Sequence, residues 1–209
     1  MRQLIPLDYN EYYHIYNRGN NKENLFREDA NYYYFLSLWK KYIVPIADTY
    51  AYCLMPNHFH AMVKIKDFEA SEVFKSQSQT SEVLKTSEVS GTRMNKCEQQ
   101  FSNLFNAYSK AFNKKYNRTG KLFADQCKRK NITDDAYFTQ LIYYIHANAQ
   151  KHGFIDDFRI YPHSSYLSFL SYGNTSLMRN EVLEWFGGRQ RFKEYHLAVH
   201  EDLKNLEFE

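Results

Sequence analysis

Two histidines one residue apart, His58 and His60, lie in the stretch Leu54-Met55-Pro56-Asn57-His58-Phe59-His60-Ala61-Met62-Val63-Lys64-Ile65. Side chains alternate along a β-strand, so a strand here turns both imidazoles to one side. Phe59, Ala61, Val63 and Ile65 turn to the other side and form a continuous apolar face. After the imidazoles, the first side carries Met62, Lys64 and Lys66. This is the pattern of an antiparallel sheet with one packed and one accessible face. Two neutral imidazoles side by side can hold a divalent cation. Taken alone, the simpler explanation is a pair of ordinary surface histidines.

A second stretch, from Tyr137 to Gly153, offers an oxygen donor and a nucleophile. Phe138, Leu141, Ile142, Ile145 and Ala149 recur at helical spacing and predict one buried stripe. Asp134 and Asp135 suit the start of that helix, Lys151 and His152 its end, and Gly153 its termination. Tyr144 and Asn148 are four residues apart and share one flank of the stripe. Tyr143 is expected to face the solvent side, near Ala147 and Gln150. A side-chain amide can ligate a hard cation through its oxygen. On its own Tyr144 is one of 19 tyrosines in a chain that is 18% aromatic, and a place at the rim of the core would suffice for it.

Together these stretches carry a resemblance. The chain resembles the single-tyrosine transposases of the His-hydrophobe-His class, especially the REP-associated tyrosine transposases and their insertion-sequence relatives. The matching residues are Tyr13-His14-Ile15-Tyr16-Asn17-Arg18-Gly19-Asn20 with Leu25-Phe26, then Met55-Pro56-Asn57-His58-Phe59-His60. Gly120-Lys121-Leu122-Phe123, Tyr144-Ile145-His146-Ala147-Asn148 and Tyr161-Pro162-His163-Ser164-Ser165-Tyr166 follow in the family's order. The likeness spans roughly residues 10–168. The chain departs from the family's usual pattern at Asn148-Ala149 (Asn-Pro), at His163 (often Trp) and at Gln126-Cys127-Lys128 (Arg-Phe-Lys).

The resemblance implies a metal-dependent transfer of single-stranded DNA, with DNA carrying a hairpin as the partner. His58, His60 and Asn148 would hold one Mg²⁺ or Mn²⁺, and Tyr144 would attack the phosphate to leave a 5′-phosphotyrosine link. Arg18, Lys121, Lys128, Arg129 and Lys130 are the expected DNA contacts. The working unit is a monomer or a homodimer sharing tyrosines. Two other readings differ in class. One is a domesticated DNA- or RNA-hairpin binding protein without transposition. The other is a hydrolase in which a metal activates water and Tyr144 is structural.

Bulk properties are compatible with this. The chain has 209 residues, a net charge of +3 and a pI of about 8.6, which permits nucleic-acid binding without demanding it. Lys110, Lys114, Lys115, Arg118, Lys121, Lys128, Arg129 and Lys130 cluster around Tyr108, Phe112, Tyr116 and Phe123. Cations for phosphates beside aromatic rings for bases make a single-strand surface; a solvated basic helix with its aromatics in the core is the alternative. Cys53, Cys97 and Cys127 have no zinc-type spacing and suit a reducing compartment. With no leader-like or membrane-length apolar run, the expected location is cytoplasmic.

Periodicity orders the elements that must position these residues. Strands are expected over 11–18, 48–54, 58–66 and 127–132. Helices are expected over 29–43, 97–116, the Tyr144 segment and 164–170. This order predicts an α+β fold, a ferredoxin-like split βαβ core with its helices on one face of an antiparallel sheet, plus added C-terminal helices. The transposase-like domain would span 1–175 and a C-terminal helical extension 176–209. Residues 69–92 repeat Ser-Glu-Val among Ser, Thr, Gln and Lys, and are expected to form a flexible insertion.

Overall fold

Alternating apolar positions become strands and 3.6-residue periodicity becomes helices in a computed structural model that describes residues 5–67, 89–124, 127–134 and 136–202. The strands are β1 (Tyr12–Arg18), β2 (Ala47–Met55), β3 (His58–Ile65) and β4 (Lys128–Ile132). Pro56 and Asn57 close a tight hairpin in which Met55 pairs with His58. The sheet order is β2-β3-β1-β4, every neighbouring pair antiparallel. Helix α1 (Asp29–Tyr42) links β1 to β2, and α2 (Val89–Lys115) links β3 to β4. This is the ferredoxin-like arrangement, and both linking helices pack together on one face of the sheet. There Tyr13, Ile15, Phe59, Ala61 and Val63 meet Phe35, Trp39, Phe101, Leu104 and Tyr108.

The other face is not the open one that the strand pattern predicts. Helix α3 (Ala136–Lys151) lies across it, followed by α4 (Tyr166–Leu170), α5 (Arg179–Trp185) and α6 (Arg189–Asp202). Met62, Tyr50, Cys53 and Met55 pack there with Ile142, Ile145, Phe169 and Phe192. Every residue from 141 to 149 is buried, because the sheet covers one side of α3 and the C-terminal helices the other. The C-terminal segment joins this same core: the amide of Met178 donates to the Thr49 carbonyl (2.9 Å), and Leu177, Val182 and Phe186 are buried in the cluster. Residues 68–88, most of the expected insertion, lie outside the described residues. Its last residues belong instead to α2, which begins at Val89.

A buried polar chain ties α6 to α3 and β2. His196 Nδ1 lies 2.8 Å from the Phe192 carbonyl and must donate to it, so its Nε2 accepts from His146 Nδ1 at 3.0 Å. His146 Nε2 is left to accept from the Ser165 hydroxyl at 2.8 Å. Burial holds both imidazoles below their usual range, His196 at about 3 and His146 well below 6.5. The unfolded chain therefore takes up protons first as pH falls. The stability these neutral rings confer is complete above about pH 6.5 and is lost as pH drops toward 3. We expect urea denaturation to show roughly 2 kcal/mol less stability at pH 5 than at pH 7 from His196 alone. His196→Phe should lessen that dependence without abolishing it, since His146, His58 and His60 are also held below 6.5 by burial. Equal stability at the two pH values would contradict the neutral pair.

Candidate active site

Strand β3 turns His58 and His60 to the α3 face, their ring centroids 5.3 Å apart and the planes nearly perpendicular. Pairing with β1 sets Arg18 opposite His58 and Tyr16 opposite His60. The Tyr16 ring stacks on His60 at 5.5 Å. His58 Nδ1 lies 2.6 Å from Asn57 Oδ1, so the turn residue holds that ring. His60 Nδ1 lies 2.8 Å from His14 Nε2 of β1. Burial lowers the basicity of both strand imidazoles, with smaller contributions from His152 and Arg18 on His58, which falls to about 4. His60 is held well below 6.5 by burial first and then by His14. Both are neutral near pH 7, the form that can donate a lone pair to a metal.

Helix α3 brings its flank to the same place. The Tyr144 ring lies edge-on to His60 at 5.8 Å and to His14 at 6.0 Å, with Lys151 Nζ 5.2 Å from its centroid. Tyr143 does not reach solvent. It is 5% exposed and faces His196 and Phe158 at 5.7 and 6.1 Å, because α6 covers the flank that periodicity left open. Asn148 is wholly buried, and neither Oδ1 nor Nδ2 has a hydrogen-bond partner. The last turn of α3 leans on the histidine pair. The His152 amide donates to the Asn148 carbonyl, and its ring lies 4.6 Å from His58. With Ala149 where a proline would end the helix sooner, α3 runs to Lys151 and stops at Gly153 (φ 69°). The Phe154 amide bonds to the Ala149 carbonyl and the Gly153 amide to that of Gln150, the glycine-dependent reversal that frees the chain from the helix.

The two imidazoles open into a cleft of about 430 Å³ lined also by Tyr16, Arg18, Lys22, Lys128 and His152. Gly19 anchors its rim: its amide donates to the Asn57 carbonyl, and a side chain there would overlap the Glu23 carbonyl. Of the expected DNA contacts, Arg18 and Lys128 meet here, and Lys130 shares their face of β4 beside Tyr137. Arg129 points to the opposite face, where it bonds to Glu98 and the Ile5 carbonyl. Lys121 borders a separate cleft on that side and donates to the Ala124 carbonyl. Three of the four aromatics expected to serve as a base platform in the basic stretch are packed away, and the fourth, Tyr116, is half-buried with Arg27 and Lys115 over its ring. Tyr108, Phe112 and Phe123 are core residues, and Arg118 and Lys115 are paired with Glu23 and Glu28.

Sequence reasoning passed over three residues of this site. His14 shares the even positions of β1 with Tyr12 and Tyr16, but only the β1–β3 register shows that it meets His60. His152 follows Asn148 by four residues and so lies on the same flank. Lys22 sits in a turn with positive φ and left no signal.

A metal can be tested against these residues. Among the described residues no three His, Cys, Asp or Glu side chains form a metal-binding group. The third donor here would be an amide, and the buried atoms suit it. Asn148 Oδ1 and His58 Nε2 are both buried with no hydrogen-bond partner, and leaving each of them unsatisfied costs stability.

No known protein family and no curated protein matches the chain. Among solved structures, one described as a REP-associated tyrosine transposase bound to a REP hairpin is similar in fold. Its TM-score is 0.51 at 12% identity, covering 83% of this chain and 85% of that one.

Proposed function

We propose that this protein is a metal-dependent single-stranded DNA nuclease and strand transferase that acts through Tyr144. The observation that carries this is the packing of the Tyr144 ring edge-on against His60 and His14, with His58 on the same strand face as His60 and the unsatisfied Asn148 amide one turn further along the Tyr144 helix. The solved structure of similar fold is bound to a REP hairpin, and DNA with a hairpin is the substrate we assign.

His58 Nε2, His60 Nε2 and Asn148 Oδ1 would hold one Mg²⁺ or Mn²⁺. When bound, the ion would polarise a non-bridging phosphate oxygen and offset the charge that builds up during displacement. Asn57 and His14 hold the imidazole planes. Lys151 Nζ lies 5.2 Å from the centre of the Tyr144 ring and sets a positive charge beside the nucleophile. The phenolate oxygen bonds to phosphorus as the bond to the 3′-oxygen breaks, leaving a 5′-phosphotyrosine and a strand ending in a 3′-hydroxyl. Attack by another 3′-hydroxyl on that link rejoins DNA and releases Tyr144, so no nucleotide cofactor is required.

Arg18 and Lys128 at the cleft mouth would take the flanking phosphates. Arg18→Ala and Lys128→Ala should each lower single-strand affinity uniformly across sequences. Each should also reduce the slope of log affinity against log salt by about 0.7. Arg129→Ala should leave that slope unchanged, since its guanidinium is held by Glu98. Salt titrations by fluorescence anisotropy measure all three, and an unchanged slope for both cleft residues would contradict the assignment.

A second reading has one observation in its favour. Tyr144 is 4% exposed and Asn148 fully buried, so chemistry requires the last two turns of α3 to move from the histidines. A hairpin-binding protein without strand transfer would have no need for that motion. Incubation with Mn²⁺ and labelled single strands from the DNA flanking its own gene separates the two. The strand transferase yields an adduct that survives denaturing electrophoresis, and the binding protein yields only a complex that denaturation dissolves.

A further inference from the structure

We infer that His14 is a positioning residue that holds His60 in one tautomer, with the proton on Nδ1 and the lone pair of Nε2 turned to the site. The inference rests on the metal reading above for its purpose, but not for its geometry. His14 Nε2 and His60 Nδ1 are 2.8 Å apart, the rings are near parallel at 26°, and each residue is 1% exposed. One of those two nitrogens donates and the other accepts, and a neutral imidazole has a single N–H. If His60 accepted, its only proton would sit on Nε2 and that nitrogen could not ligate. If His60 donates, Nε2 carries the lone pair and its direction is set by the hydrogen bond on the far side of the ring.

Carboxylates and backbone carbonyls usually fill this role behind a metal-binding histidine. Here an imidazole does, contributed by the neighbouring strand. The arrangement is matched at His58, where Asn57 Oδ1 lies 2.6 Å from Nδ1. Both rings are therefore gripped through Nδ1, which presents the two Nε2 atoms alike. His14 is not a ligand through Nε2, because that atom already meets His60. Tyr16 stacks on His60 at 5.5 Å and lies against His14 at 5.0 Å with the planes tilted by 33°, which limits rotation of both rings.

Nitrogen NMR of ¹⁵N-imidazole protein reads the tautomers, and Mn²⁺ titration followed by electron paramagnetic resonance reads the site. Wild type should show His60 with its proton on Nδ1. His14→Phe keeps a flat ring but removes the acceptor, so His60 should become a tautomer mixture and Mn²⁺ affinity should fall about 10- to 100-fold. His14→Gln sets an amide oxygen where Nε2 was, and should restore both the tautomer and most of the affinity. A wild-type His60 protonated on Nε2 would overturn the inference, as would His14→Phe binding Mn²⁺ like wild type with an unchanged tautomer. If His14→Phe does not fold, the wild-type tautomer and the glutamine variant decide. Wild type that binds no Mn²⁺ yet holds the proton on Nδ1 would defeat the metal reading and leave the positioning role standing.

Discussion

His58→Ala and His60→Ala are each expected to cut covalent adduct formation by at least about 10²-fold, since losing a ligand should cost more than losing the partner behind one. Affinity for single-stranded DNA, measured in EDTA, should stay within a few-fold of wild type, because the phosphate contacts proposed for Arg18 and Lys128, which line the cleft, would supply it. The two variants should differ in stability. His58 lies at the cleft, and its loss opens space to solvent. His60 is 1% exposed and bonds to His14, so its removal strands a buried imidazole at a cost of roughly 1–3 kcal/mol. His60→Gln fills more of that space and guards against reading a folding defect as lost chemistry. Adduct yield against Mn²⁺ concentration on denaturing gels is the measurement. Wild-type yield from either alanine variant would remove the histidine pair from the mechanism.

The parts of this site that lie within one element are legible in the residues alone. Alternation places His58 and His60 together, and helical spacing places Tyr144 with Asn148. The strand and helix order predicts the ferredoxin-like core, and the solved transposase structure shares its fold. What the residues do not reveal depends on packing between distant elements. Periodicity turns Tyr143 to solvent, because nothing in its own helix shows that α6, about fifty residues later, covers that flank. The His14–His60 bond joins residues 46 apart through strand register. The basic stretch misleads in another way. Its lysines and arginines recur among aromatics in sequence, yet α2 turns Tyr108 and Phe112 into the core and leaves its own cations paired or in water, while Lys128 and Lys130 of β4 lie over Tyr16 and Tyr137 from other elements. Arg129 is recoverable, since strand alternation alone puts it opposite Lys128 and Lys130.

Tyr144→Phe removes one oxygen from a ring packed against His60 and His14, so folding and DNA binding should change little. Adduct formation should fall by on the order of 10⁴-fold or more, the scale seen when a nucleophile is deleted. Tyr143→Phe should still form the adduct. Its ring faces Phe158 and His196, turned roughly 100° around the helix from the histidine pair. The contrast separates a catalytic tyrosine from a merely buried one, because both are nearly equal in exposure at 4% and 5%. A metal-dependent hydrolase working through water would instead cleave DNA with either variant and trap nothing.

The most direct measurement is to digest the denatured wild-type adduct and locate the nucleotide by mass spectrometry. The account predicts a 5′-phosphate on the peptide carrying Tyr144, with fragment ions that assign it to Tyr144 and not to its neighbour. A nucleotide on Tyr143, on any residue outside α3, or on none while DNA is still cut, would contradict it.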